Sequence, residues 1–279
     1  EISTRDWSSD VCSSDLAQAP ATCTMAVVAN PPPGVLAGLP RLAFVQSLWA
    51  GVDRLLADAT LPPQVALARM VDPAMAAAMA ETALWAVLSV HRGFFDYQRR
   101  QRDACWQVHP QRRADEVPVL VLGQGEMGGA VTRRLRAQGY RVAGWRRGVP
   151  LAPLLAVAEV VVNLLPLTPE TSGIVDARFL AALPRGAVLI NLGRGGHVVE
   201  SDLLQALDSG ALGHAVLDVF RTEPLPATHP FWQHPRVTVL PHAAALTDPR
   251  SASAVAAANL RDWHAGRPVR HRVDRLRGY

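Results

Sequence analysis

A glycine-rich turn, an arginine pair and a third arginine at a strand end are the residues whose types and spacing could do chemistry. In VLVLGQGEMGGAVTRRL, Gly123, Gly125 and Gly128 stand in G-x-G-x-x-G spacing, directly after an apolar run and at the opening of a helical pattern. In that context Gly123 permits a tight turn, Gly125 lets the backbone approach a pyrophosphate, and Gly128 lets helix and strand pack closely. The helix N-terminus then offers unpaired N–H groups to the anion. About twenty residues on, an NAD-binding chain usually carries an acid at the end of the second strand to hold the ribose 2′-hydroxyl. Here the sequence is GWRRG, with Arg146 and Arg147 and no acid. A carboxylate repels a 2′-phosphate and a guanidinium pairs with it, so NADPH is favoured over NADH.

The third arginine is Arg194, in VLINLGRGGHVV (188–199). A strand end is a costly place for a guanidinium without a partner, so Arg194 either points into water or meets an anion. Its planar fork suits a carboxylate and a carbonyl together. His242 follows Pro241 at the end of the last apolar run. An imidazole, whose pKa lies near neutrality, is a natural proton donor there.

The elements that must hold these residues alternate between strand and helix. VPVLVLG (117–123), RVAGW (141–145), EVVVNLL (159–165), AVLINL (187–192), HAVLDVF (214–220) and RVTVLP (236–241) are continuously apolar runs. Continuous apolarity predicts strands buried on both faces, as in a parallel sheet flanked by helices. Helices are predicted near 127–138, 176–182, 200–209 and 248–265. Earlier in the chain, AVVAN (26–30) and LAFVQSL (42–48) read as strands separated by the turn NPPPG. One long helix is predicted over 73–106, its Met and aromatic stripe facing a core or a subunit interface.

Composition narrows the class. The chain has 279 residues, 49% hydrophobic and 19% charged, enough to bury a sizeable core. No apolar run is expected to approach the roughly 18 residues that span a bilayer. All 28 basic residues are arginine. The six arginines from Arg261 to Arg277 lack the interleaved aromatics or motif of a nucleic-acid surface. Residues 1–16, EISTRDWSSDVCSSDL, resemble a translated sequencing adapter and are read as non-native. Without their four acids and one arginine the net charge of +4 becomes +7. The remaining cysteines, Cys23 and Cys105, have no metal or redox spacing, and no metal is expected; a reducing, cytoplasmic compartment fits.

Taken in order, GQGEMGG, NLLPLTPET, INLGRGGHVVESDLLQALDSG, LDVFRTEPLP, HPRVTVLPHAAALT and the terminal VDRLRGY resemble the D-isomer-specific 2-hydroxyacid dehydrogenases. More narrowly they are similar to the bacterial glyoxylate/hydroxypyruvate reductases of that family, over roughly residues 25–279. The resemblance implies reduction of a small 2-keto acid by a nicotinamide cofactor, in a homodimer. It implies Arg194, Glu223 and His242 as the catalytic set, with Arg194 on the substrate carboxylate and His242 protonating the carbonyl oxygen. Glu223 would accept a hydrogen bond from the far ring nitrogen. Glu126, Met127, Leu165, Pro166 and Asp218 fall at cofactor-contacting positions. Ala50, Gly51 and Val52, in SLWAGVDRL, match a loop whose backbone binds the substrate carboxylate.

The expected fold is α/β. A Rossmann-type, doubly wound dinucleotide-binding domain spans 77–247, with a smaller flavodoxin-like substrate domain over 17–76 and 248–279. That smaller domain is expected to lack its first strand and helix, and the segment between Trp145 and Asn163 is shorter than the family's. Two other readings fit the sequence: an NAD-linked dehydrogenase of a bulkier D-2-hydroxy acid, and a non-catalytic, nucleotide-sensing relative.

Overall fold

The computed structural model describes residues 21–279, so the adapter-like segment 1–16 lies outside the described residues. The chain divides into two compact units. One is Met75–Leu246; the other joins the described residues up to Ala74 to Thr247–Tyr279.

The smaller unit is built on a parallel sheet of β1 (Met25–Val28), β2 (Phe44–Ser47) and β3 (Ala66–Ala68), in the order β1-β2-β3. Side chains alternate across it, as the pleat requires. Val45 and Leu67 enter one cluster with Leu36, Leu55 and Val65, whereas Phe44, Ala66 and Ala68 face Leu260, Trp263 and Val269. Phe44 stacks on Trp263 with centroids 4.9 Å apart. Leu260 and Trp263 belong to α8 (Pro249–His264), which opens on Asp248 as N-cap with Pro249 in its first turn. The strand β3 escapes notice in the sequence because its three residues are too few to show a period. A short helix α1 (Asp53–Ala57) follows β2.

The larger unit carries a six-stranded, all-parallel sheet: β4 (Pro118–Leu122), β5 (Arg141–Trp145), β6 (Val160–Asn163), β7 (Ala187–Asn191), β8 (Leu212–Leu217) and β9 (Val237–Val239), in the order β5-β4-β6-β7-β8-β9. Alternate residues of each central strand feed two cores. Leu120, Leu122, Val161, Leu189 and Leu217 pack with Phe179 and Leu180 of α6 (Ala177–Ala181) and with Leu203 and Leu207 of α7 (Glu200–Asp208). Val119, Val121, Val160, Val162, Ile190 and Val216 pack on the other face. Their partners are Met79, Ala83 and Val87 of α2 (Pro73–His91) and Val131 and Leu135 of α4 (Glu126–Ala137). Helices on both faces of a parallel sheet make this an α/β doubly wound, Rossmann-type fold.

Three expectations need correcting. The single helix over 73–106 is two helices, α2 and α3 (Phe94–Arg102), parted by Gly93 in a left-handed conformation, φ 70°. A Cβ on Gly93 would lie 2.4 Å from the His109 ring, so the packing of His109 keeps this position a glycine. The strand β5 is not buried on both faces: Arg141, Ala143 and Gly144 are exposed because it is the sheet edge. From Trp145 the chain passes through a one-turn helix α5 (Ala152–Leu155) to β6 on the far side of β4, and no strand of the described residues pairs beyond β5. Finally, the 19 residues of α2 are long and apolar enough to cross a bilayer by length and composition alone. Met79, Ala80, Ala83, Ala86 and Val87 nonetheless pack as core on the sheet of the larger unit.

Candidate active site

Each proposed chemical group of the larger unit stands just past the carboxyl end of a strand, the edge at which open α/β sheets bind ligands. The phosphate-loop motif comes first. Gly123, at φ +88°, ends β4, and a Cβ there would sit 2.7 Å from the Leu164 carbonyl. A Cβ on Gly128 would sit 1.7 Å from the Gly123 oxygen, so only glycine lets α4 lie this close to the turn. Around Gly125 the reverse holds: a Cβ would meet nothing within 4 Å, leaving open space against the first turn of α4. No side chain caps that turn. A tight turn, open space and uncapped helical N–H groups together fit a dinucleotide pyrophosphate. Glu126 is exposed and Met127 half-buried in the same turn.

Arg146 and Arg147 follow β5 immediately, and the Trp145 carbonyl accepts the Gly123 N–H at 3.0 Å, so the two arginines leave the sheet beside the phosphate loop. Both are exposed. Arg147 lies 3.6 Å from Glu170, itself bonded to the Thr168 hydroxyl. Leu165 is buried after β6, its N–H donated to Asn163. The Pro166 carbonyl accepts from the Thr171 hydroxyl.

Arg194, Glu223 and His242 follow the adjacent strands β7, β8 and β9. Arg194 is extended and half-buried, with Nη1 donating to the Gly193 carbonyl at 2.9 Å. The next residue explains the glycines around it: a Cβ on Gly195 would lie 1.9 Å from the carbonyl carbon of Phe220. The arginine loop is thereby pressed against the loop that carries Glu223. Glu223 accepts the Phe220 N–H through Oε1 at 2.8 Å, and its Oε2 meets His242 Nδ1 at 2.7 Å. Burial would push the Glu223 carboxyl up, but the His242 hydrogen bond, the Phe220 N–H and the charges of His242 and Arg194 outweigh it and hold the carboxyl low. His242 adopts a left-handed backbone, φ 54°. Side chains of His242 and Glu223 are each about one-third exposed, at 33% and 35%.

Comparison with known proteins decides what this arrangement belongs to. Residues 84–244 match the family described as D-isomer specific 2-hydroxyacid dehydrogenase, NAD binding domain. The chain belongs to this family. A glyoxylate/hydroxypyruvate reductase A from Serratia proteamaculans is 44% identical over 272 residues, covering 91% of this chain and 87% of the relative. Among solved structures, a D-isomer-specific 2-hydroxyacid dehydrogenase from Xanthobacter autotrophicus in complex with NADPH and MES superposes with a TM-score of 0.89 at 41% identity, covering 94% of this chain and 87% of that one. An NADPH-dependent glyoxylate/hydroxypyruvate reductase from Sinorhizobium meliloti in complex with NADP and sulfate gives 0.88 at 37%, covering 91% and 86%.

In this member of the 2-hydroxyacid dehydrogenases, Asp218 does more than its sequence position suggested. At 1% exposure its carboxylate accepts the N–H groups of Ala243 (2.7 Å) and Ala244 (3.1 Å), and its carbonyl accepts that of His242 (2.8 Å). Burial pushes the Asp218 carboxyl up against the pull of those two N–H groups. Asp218 therefore anchors the backbone that presents His242. Ala50, Gly51 and Val52 lie in the smaller unit, after β2, with Val52 buried at the start of α1.

Two residues carried no sequence signal. Gln124, a variable position of the glycine motif, folds back to donate to the Val121 carbonyl at 3.1 Å, and a Cβ on Gly144 would strike its amide at 2.5 Å. His197 is fully buried, its N–H donated to the Arg194 carbonyl at 3.2 Å.

Proposed function

We propose that this chain is an NADPH-dependent reductase of glyoxylate and hydroxypyruvate, giving glycolate and D-glycerate. The observation that carries this reading is the placement of Arg194, Glu223 and His242 past three adjacent strands of the sheet whose β4 turn forms the phosphate loop. Gly123, Gly125 and Gly128, with Glu126, Met127, Leu165, Pro166 and Asp218, would hold the dinucleotide, and Arg146 and Arg147 its 2′-phosphate. When bound, NADPH supplies the hydride that adds to the keto carbon.

The chain's own residues do the rest. Arg194 holds the carboxylate and polarises the carbonyl through its two-pronged donor set. His242, bonded to Glu223 through Nδ1, gives the proton on Nε2 to the carbonyl oxygen, and Glu223 balances the imidazolium charge. Solvent returns the proton after product leaves. Met75–Leu246 is then the dinucleotide unit and the smaller unit the substrate domain.

The same reading makes the enzyme a cytoplasmic homodimer. The apolar helix α2, with Trp85 41% exposed and Phe94 just beyond it, supports a partner subunit, and the free thiols of Cys23 and Cys105 suit a reducing compartment. The test is steady-state oxidation of NADPH and NADH, each with glyoxylate, hydroxypyruvate and phenylpyruvate. Turnover should favour NADPH and the two small acids. Preference for NADH with phenylpyruvate would replace this reading with an NAD-linked dehydrogenase of a bulkier acid.

A further inference from the structure

The last residues of β6 and β7, Asn163 and Asn191, are register partners, and both side chains are fully buried. Amides at the ends of central strands must be satisfied by protein groups, because an unpaired buried polar group is destabilising. Here one set of bonds satisfies them. Asn163 Nδ2 donates to Asn191 Oδ1 at 2.9 Å and stands 2.9 Å from His197 Nδ1, while Asn163 Oδ1 accepts the Leu165 N–H at 3.2 Å. Asn191 Nδ2 donates to the Arg194 carbonyl at 3.1 Å, and the same carbonyl accepts the His197 N–H at 3.2 Å. His197 Nε2 reaches the Pro166 carbonyl at 3.2 Å.

The donor directions fix the imidazole. The Asn163 amide cannot turn over, since its oxygen is needed by Leu165 and its nitrogen by Asn191. The amide nitrogen is a donor only, so His197 Nδ1 must accept, and the ring proton sits on Nε2, where the Pro166 carbonyl takes it. His197 thus ties the loop after β7, which carries Arg194, to the loop after β6, which carries Leu165 and Pro166. The glycines agree with so close a seam. A Cβ on Gly193 would lie 3.1 Å from the Leu165 carbonyl, and one on Gly196 would lie 3.1 Å from Leu167.

We infer that His197 is a positioning residue for substrate binding: with Asn163 and Asn191 it sets the backbone of Arg194 relative to the Leu165–Pro166 loop, and so aims the guanidinium. The inference rests on Arg194 being the carboxylate anchor proposed above. It touches no reacting atom, so its loss acts on affinity for the keto acid more than on the chemical step.

The test compares the full chain with His197→Phe, which fills the space without the two ring bonds, and with His197→Asn, whose side-chain oxygen can take the Asn163 donor in place of Nδ1. Kinetics with NADPH and hydroxypyruvate, calorimetric binding of oxalate in the presence of NADP, and thermal melting are measured on each. A misaimed guanidinium loses charge-assisted hydrogen bonding to the carboxylate, so KM for hydroxypyruvate and Kd for oxalate should rise between about 10-fold and 10²-fold in His197→Phe. The value of kcat should fall by a smaller factor than KM rises, since Arg194 also polarises the carbonyl while the proton donor His242 is untouched. His197→Asn should recover most of the lost affinity. A lower melting temperature in His197→Phe with KM and Kd unmoved would make His197 merely structural and overturn the inference alone. A wild-type protein that neither turns over nor binds oxalate would remove the carboxylate anchor, and the inference with it.

Discussion

Glu223 Oε2 lies 2.7 Å from His242 Nδ1, while the other oxygen of the same carboxylate accepts the Phe220 N–H at 2.8 Å. A carboxylate held by its own loop therefore engages the Nδ1 edge of the histidine ring. Asp218 fixes the backbone that follows the same histidine through Ala243 and Ala244.

Removing the proton donor should be more damaging than neutralising its orienting acid. General acid–base groups contribute typically about 10²–10⁴-fold, and His242→Gln should lower kcat within that range. Glu223→Gln keeps a hydrogen-bonding group against the ring and removes only the charge, so kcat should fall less. Parallel steady-state assays decide; equal activity in His242→Gln and wild type would place the proton donor elsewhere.

Arg146 and Arg147 should act on the cofactor's phosphate and not on the fold. Both are exposed, and the Arg147–Glu170 pair is a surface ion pair of the kind worth about 0–1 kcal/mol. The double variant Arg146→Ala/Arg147→Ala should raise KM for NADPH about tenfold or more, as expected for lost charge-assisted hydrogen bonds, and leave KM for NADH unchanged. A parallel rise for both nucleotides would contradict the assignment of the 2′-phosphate.

Gly195→Ala should damage the site through packing alone. The added Cβ would lie 1.9 Å from the Phe220 backbone, which cannot yield as a flexible side chain could. Overpacking of this kind costs typically about 1–3 kcal/mol. Denaturant melts should show that loss together with reduced activity, because the loops of Arg194 and Glu223 are forced apart. Unchanged stability would mean that the two loops do not touch as described.

His214 should make the larger unit acid-sensitive. It stacks on Phe95 at 4.3 Å, bonds the Thr238 hydroxyl at 2.9 Å and is 7% exposed. Burial, aided by the charge of Arg99, pushes its pKa from 6.5 down to about 4. Above about pH 6.5 it is neutral in both folded and unfolded chains and contributes no pH dependence. As pH falls from about 6.5 to about 4 the unfolded chain takes up a proton that the folded one refuses, and stability is lost by about 3 kcal/mol. In His214→Phe that component disappears, so the stability gap between wild type and variant should differ between about pH 7.5 and pH 4.5. A gap independent of pH would exclude this role.

Much of the candidate site was legible because its proposed residues sit where a sequence is loudest. The glycine spacing follows a continuous apolar strand, and Arg194 and His242 each follow one, so strand ends and chemistry could be read together. What escaped depends on contacts distant in sequence. The break at Gly93 is kept by the His109 ring, and the exposure of β5 follows from its place at the sheet edge, which composition does not record. The burial of His197 follows from two asparagines that lie 34 and 6 residues away from it in sequence and meet it only when β6 pairs with β7.

The most direct test is kcat/KM for hydroxypyruvate with NADPH, measured on the wild type and on Arg194→Gln in the same assay. Hydrogen bonds to a charged group contribute about 1.5–3 kcal/mol each, so the loss of a bidentate anchor should lower kcat/KM by at least about 10²-fold. That result would tie turnover to the arginine at the end of β7. Wild-type turnover that survives Arg194→Gln undiminished, or a wild type with no turnover, would contradict the account.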